Sequence, residues 1–219
     1  MIAGVSIEGR AIEAIDVAGS DSSPGAGAPV AALIFGAIHG DEPGSAELCR
    51  RFLDALAVEP PRHRMLVIPA LNPDGLRAGR KNNARDVDLN RNFAARNWQR
   101  AHAPGYDPGP APESEPETAA LVALVAHHRP RALVAVHQPF RCVNWDGSGR
   151  ALADEMAAAC GYPSVATVGY PTPGSFGSRY GVDEGRCVVT FELPRPVPPD
   201  EWPALLRALR CCTIVPPAE

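Results

Sequence analysis

The chain has 219 residues, 45% of them hydrophobic, enough to bury one sizeable core, and with no internal repeat a single domain over 1–219 is expected. A formal net charge of −4, with no basic run continuing far beyond Arg77 to Arg85, excludes the electrostatic footprint of a nucleic-acid binder. No apolar run is long enough to span a membrane, and the start MIAGVSIEGRAIEAIDVAG lacks a basic region followed by an apolar stretch, so a cytoplasmic location is expected.

In chain order, Gly19 to Gly27 (GSDSSPGAG) reads as a loop or hairpin connection between the first strands. Val30 to Ile38 (VAALIFGAI) is nearly continuous in apolar residues and predicts a strand buried on both faces of a mainly parallel sheet. Pro43 opens a helix in which Cys49, Phe52, Leu53 and Leu56 recur on one face. Arg64 to Ala70 (RMLVIPA) is a second strand. The polar stretch Leu71 to Phe93 that follows is rich in Asn, Arg and Gly, and irregular loops of that length are uncommon unless functional. After the proline-dense Pro104 to Pro116, the capping-box pattern Ser114-x-x-Glu117 starts a helix that buries Leu121, Leu124 and Val125. His127 and His128 fall in its last turn, where cations suit the helix dipole, and His63 and His102 lie in polar connections; none of the four is taken as a ligand.

Arg131 to Val136 (RALVAV) and Cys187 to Phe191 (CVVTF) are further strands. Ala151 to Cys160 reads as a helix, and Pro194 to Glu201 leads into a last helix from Trp202 to Arg210. This alternation predicts an α/β fold, a three-layer α/β/α sandwich around a central mixed, mostly parallel sheet. The six cysteines contain no Cys-x-x-Cys pair and read as free thiols in a reducing compartment, with vicinal Cys211 and Cys212 at the end of a packed helix.

Three of these strands end in residues suited to metal or acid/base chemistry. The first delivers His39 and, three residues on, Glu42; the others deliver His137 and Glu192. In open α/β sheets the carboxyl edge is where ligands bind. Two imidazoles and a carboxylate suit a catalytic zinc, which takes three protein ligands and leaves a fourth position open to water; a further carboxylate remains to accept a proton. Between these sites, Asp88-Leu89-Asn90-Arg91-Asn92-Phe93 gathers amides, a carboxylate and a guanidinium. Arg91 there suits a bidentate clamp on a substrate carboxylate, with Asn90 adding a hydrogen bond.

His39-x-x-Glu42, Asn72-Pro73-Asp74-Gly75, Asp88 to Phe93, His137 and Glu192 together resemble the ordered signature of the zinc carboxypeptidase family. Within it the chain is similar to the bacterial murein peptide amidase branch. That narrower likeness rests on Glu8-Gly9-Arg10, Ile12-Glu13-Ala14, His137-Gln138-Pro139, Arg141 to Gly147 and Gly169 to Gly177. The resemblance implies His39, Glu42 and His137 as ligands of one zinc ion, and Glu192 as general base and acid. It implies Asn90 and Arg91 as the pair holding the carboxylate of the leaving residue, and Asp88 as the carboxylate that orients His39 from behind. Arg85 is assigned to polarise the scissile carbonyl, with Arg80 and Lys81 competing cations of the same loop. Tyr170 and Tyr180 are both candidates for a substrate-facing tyrosine, and neither enters the catalytic set.

The branch implies a small murein peptide as substrate, cut between the γ-carboxyl of D-glutamate and meso-diaminopimelate, with Arg141, Asn144, Asp146 and Thr172 to Phe176 as candidate pocket linings. Other metal-dependent carboxypeptidases or N-acyl amino-acid deacylases of the same clan are the alternative, and a non-catalytic peptide-binding module the remote one. A homo-oligomer is compatible with the sequence.

Overall fold

The computed structural model describes residues 1–20 and 29–215. The connection expected at Gly19 to Gly27 therefore lies, beyond Ser20, outside the described residues. Strands β1 (Ile2–Val5) and β2 (Ala11–Glu13) form a separate antiparallel pair. The main sheet contains β3 (Ile15–Val17), β4 (Ala32–Phe35), β5 (Met65–Ile68), β6 (Ala132–His137), β7 (Cys142–Gly147), β8 (Ser164–Val165) and β9 (Cys187–Glu192). Their spatial order is β3-β5-β4-β6-β9-β7-β8. β5, β4, β6 and β9 run parallel, while β3 and β7 pair antiparallel with β5 and β9.

The apolar runs behave as strands buried on both faces must. Ala32, Ile34, Val134, Val136, Val189 and Phe191 pack into one core, and Leu33, Phe35, Leu133, Ala135 and Val188 into the other. Helices α1 (Pro43–Val58), α4 (Arg150–Cys160) and α5 (Trp202–Arg210) supply the first core through Phe52, Leu56, Met156, Leu205 and Leu209. The second is closed by Leu121, Leu124 and Val125 of α3 (Pro116–His128) with Phe93, Phe176 and Tyr180. The result is the expected α/β/α sandwich with a mixed sheet. Among the described residues no helix is long and apolar enough to cross a membrane.

Two expectations are corrected. The stretch Leu71 to Phe93 is not wholly irregular: it contains α2 (Pro73–Ala78) and a 3₁₀ turn at Leu89–Arg91. Asn72 caps α2, its Oδ1 accepting from Gly75 N at 2.8 Å. The Ser114-x-x-Glu117 capping box does not form, and α3 begins at Pro116 without a side-chain cap. Tertiary partners take those groups instead. Ser114 Oγ accepts from Asn92 Nδ2 at 3.0 Å, and Glu117, fully buried, accepts from Ile7 N and Asn83 Nδ2.

Candidate active site

The carboxyl ends of β4, β6 and β9 converge on one cavity of about 240 Å³. Past β4 the chain turns through Ala37, whose φ of 47° is the left-handed backbone that disfavours a Cβ. Ser45 of α1 holds this turn: its Oγ accepts from Ala37 N at 2.9 Å and donates to Glu42 O at 2.6 Å. Glu42 occupies the N-cap position of α1 but makes no side-chain cap. Its carboxylate faces the histidines, with Oε1 2.7 Å from His39 Nδ1 and Oε2 3.1 Å from His137 Nδ1. The ligand atoms of His39, Glu42 and His137 all lie within 4.8 Å of one another. His137 is the last residue of β6 and pairs in register with Glu192, the last of β9, which carries that carboxylate to the same cavity.

Asp88 braces His39 from the other side. Its Oδ1 lies 3.1 Å from His39 Nε2 and accepts from Asn90 N at 2.9 Å, while Oδ2 accepts from Lys81 Nζ at 2.6 Å. Burial alone would lower the pKa of His39, but the Glu42 and Asp88 carboxylates outweigh it and raise the value to about 10. Glu42 is itself buried, which opposes its ionisation, yet both imidazoles hold it down at about 2. Asp88 is pushed well below the usual carboxylate range by His39 and Lys81 despite its burial. The negative field that holds a proton on His39 is the field a divalent cation needs, so the donor set fits the zinc expected from its residue types. Glu192 goes the other way: burial raises its pKa, with Phe140 N donating to Oε2 at 3.4 Å.

Asn90 and Arg91 both line the cavity. Asn90 Oδ1 accepts from Phe176 N at 3.0 Å, which fixes the amide at the cavity wall. Arg91 is 6% exposed, donates to Asn90 O at 2.7 Å and lies over the Tyr106 ring at 5.3 Å. Arg85 is elsewhere. Its side chain is 57% exposed, lies 3.7 Å from Glu115 and does not line the cavity, because Asn83 Oδ1 bends the local backbone by accepting from Arg85 N and Val87 N. Of the competing cations Arg80, Lys81 and Arg85, Lys81 is the one at the cavity wall. Of the two tyrosines, Tyr170 lines the cavity while Tyr180 is buried against Phe93 and Phe176. Asn144, Asp146, Thr172, Ser175 and Phe176 line the pocket; Arg141 instead pairs with Glu201 at 2.7 Å.

Sequence reasoning gave no place in the site to Thr190, Gln138 or Tyr106, all of which line the cavity. Thr190 had a signal, since it stands two residues before Glu192 on a strand and therefore on the same face. Gln138 ties the site's two edges, its Oε1 accepting from Gly44 N at 2.9 Å and its Nε2 donating to Pro194 O at 2.6 Å. Nothing local marked Tyr106, which reaches the cavity from the proline-rich connection.

Residues 1–148 match the family model described as zinc carboxypeptidase. Murein peptide amidase A of Escherichia coli strain K12 is 38% identical over 181 residues, covering 77% of this chain and 73% of the relative. The same-named protein of Vibrio campbellii is 35% identical over 174 residues, covering 74% and 68%. The crystal structure of murein-tripeptide amidase MpaA from Escherichia coli O157 superposes with a TM-score of 0.79 at 32% identity, covering 100% of this chain and 93% of that one.

Proposed function

The chain belongs to the zinc carboxypeptidase family, and from that premise we propose that it is a zinc-dependent amidase of murein peptides, cleaving the amide between the γ-carboxyl of D-glutamate and meso-diaminopimelate. One observation carries the reading: a His-Glu-His cage, a buried carboxylate and an Asn-Arg pair face a single cavity of about 240 Å³. The full-length likeness to a murein-tripeptide amidase supports the substrate.

His39, Glu42 and His137 would hold the zinc, which when bound supplies Lewis acidity toward the amide carbonyl and acidifies water. Asp88 fixes the ring of His39 through Nε2, so that Nδ1 stays aimed at the cage. Glu192 takes the proton of the attacking water on its carboxylate and returns it to the leaving amine; the burial that raises its pKa suits it to both transfers. Arg91 and the Asn90 amide receive the carboxylate that meso-diaminopimelate carries beside its attacked nitrogen, the same group a C-terminal residue presents. We assign the polarisation of the scissile carbonyl to Lys81 in place of Arg85, because its ammonium is the loop cation at the cavity wall. Tyr170 forms part of the mouth together with Phe140, their ring centroids 5.9 Å apart.

The test is hydrolysis of L-Ala-γ-D-Glu-meso-diaminopimelate by zinc-loaded protein, with product masses recorded, beside a hippuryl carboxypeptidase substrate and a Glu192→Gln control. Free diaminopimelate from the tripeptide, absent in the control, is the expected result. Cleavage of the hippuryl substrate alone would make the protein a carboxypeptidase, and silence on both with zinc bound would favour a deacylase or a binding module.

A further inference from the structure

The cavity contains a carboxylate that the reaction above leaves unused. Along β7, Asn144 and Asp146 face the cavity, while Val143 and Trp145 pack into the core on the opposite face. Antiparallel register sets Cys142 opposite Glu192, Asn144 opposite Thr190 and Asp146 opposite Val188. Asp146 thus lies four residues along its strand from the rung of Glu192, about 13 Å at roughly 3.3 Å per residue. Thr190 and Asn144 form the wall between the two carboxylates.

Among the described residues no hydrogen bond or ion pair meets the Asp146 carboxylate. Neither cation lining the cavity pairs with it: Lys81 Nζ lies 2.6 Å from Asp88 Oδ2, and Arg91 donates to Asn90 O and lies over the Tyr106 ring. A π-helical segment, Gly177–Val182, closes over Asp146, and two glycines make room for it. A Cβ on Gly177 would sit 2.4 Å from Oδ2, and one on Gly181 would sit 2.2 Å from the Asp146 Cβ. The carboxylate is therefore cradled by backbone, reachable from the cavity, and without a counter-charge. Burial alone raises its pKa. A carboxylate withdrawn from water and left unpaired is costly, and a cation arriving with the ligand removes that cost.

We infer that Asp146 is the specificity-determining residue of the leaving-group pocket and receives a primary ammonium on the side chain of the leaving residue. This rests on the reading of the cavity as an amidase site. With its carboxylate held by Arg91 and Asn90 beside Glu192, a leaving residue can extend its side chain past Thr190 to end at Asp146. The distal amine of diaminopimelate is carried on the same side-chain carbon as that of lysine, so both residues offer the required group. A chain of equal length that lacks this amine leaves Asp146 unpaired.

The experiment measures kcat/KM for L-Ala-γ-D-Glu-X, with X as meso-diaminopimelate, L-lysine (distal amine, no distal carboxylate) or L-2-aminopimelate (distal carboxylate, no distal amine). The wild type is expected to favour both amine-bearing peptides over the aminopimelate peptide by about 10- to 100-fold, the range of a hydrogen bond to a charged group. In Asp146→Asn that ratio should collapse towards one, chiefly through KM, with zinc content and melting temperature retained. Asp146→Ser repeats the comparison should the Asn variant fold poorly. No amine preference in the wild type, or an equal loss on all three peptides in the variants, would overturn the assignment. If no γ-D-glutamyl peptide is cut, the amidase reading falls, and hippuryl-lysine against hippuryl-norleucine then decides: a lysine preference lost in Asp146→Asn sustains the role, and its absence ends it.

Discussion

At the scale of single residues, neighbouring carboxylates are given different work by different surroundings. Glu42 sits between two imidazoles that hold it ionised, Asp88 lies between His39 and Lys81, and Glu192 has burial without a comparable partner. Asp88 does not line the cavity, so its removal should act through the two groups it holds, His39 for the metal and Lys81 for the rate. Asp88→Asn keeps the shape but loses the charge behind the ring, and zinc affinity should weaken by about 10- to 100-fold. Competition with a chelating dye reads this; an unchanged dissociation constant would show that His39 needs no brace. Glu192→Gln should leave zinc content intact and lower turnover by about 100- to 10,000-fold, the span of general acid–base catalysis. Metal analysis beside single-turnover hydrolysis separates loss of chemistry from loss of metal.

At the scale of elements, α2 does more than fill a loop. Asp74 in its first turn accepts from Ser6 Oγ at 2.8 Å, Glu8 N at 2.9 Å and Arg10 Nη1 at 2.6 Å, fastening the β1–β2 turn to the main body. Burial pushes the Asp74 carboxyl up, but these three donors outweigh it and hold the pKa below the ordinary value. A lowered folded-state value means stability that is present above the unfolded pKa of about 3.9 and lost as pH falls through the folded one. Asp74→Asn should therefore cost about 1.5–3 kcal/mol at neutral pH, the range for hydrogen bonds to a charged group, with the gap from wild type closing below about pH 4. Urea unfolding at pH 7 and pH 3.5 measures it, and a gap independent of pH would assign the cost to shape instead of charge.

At the scale of the whole molecule, the proposed metal cage is carried by strands buried in two cores. His137 ends β6, between β4 and β9 in the sheet; β4 and β6 are buried along their whole length, and β9 is buried except at Cys187 and Thr190. The scaffold should therefore outlast the metal. Complete removal of zinc is expected to abolish hydrolysis while leaving the far-ultraviolet circular dichroism spectrum unchanged, with re-added zinc restoring activity. Unfolding on chelation would instead make zinc a structural member of the fold. The thiols offer a second check on the packed whole. Burial raises Cys49 to about 12 and Cys212 well above its ordinary value, so neither should react with a thiol reagent before global unfolding.

How much of this was legible in the chain depends on the range over which each feature is determined. Continuous apolar runs such as Val30 to Ile38 and Ala132 to Val136 mark strands covered on both sides, because a strand buried on both faces lacks polar alternation. His39, Glu42, His137 and Glu192 could be read because each directly follows or ends such a run, and a strand's end carries its residue to the sheet edge. The sequence by itself thus determined the layer architecture and which residue types gather at that edge. What it left open turned on partners far apart in the chain. Glu117 went to Ile7 and Asn83 instead of a capping box, Arg85 went to Glu115, and Lys81 reached the cavity. The isolation of Asp146 is of the same kind, because it depends on Gly177 and Gly181 closing over a strand more than thirty residues earlier. Periodicity records which face of an element is buried, but the partner a charged side chain finds is a competition settled only when the elements have packed, and that competition the tertiary structure decided.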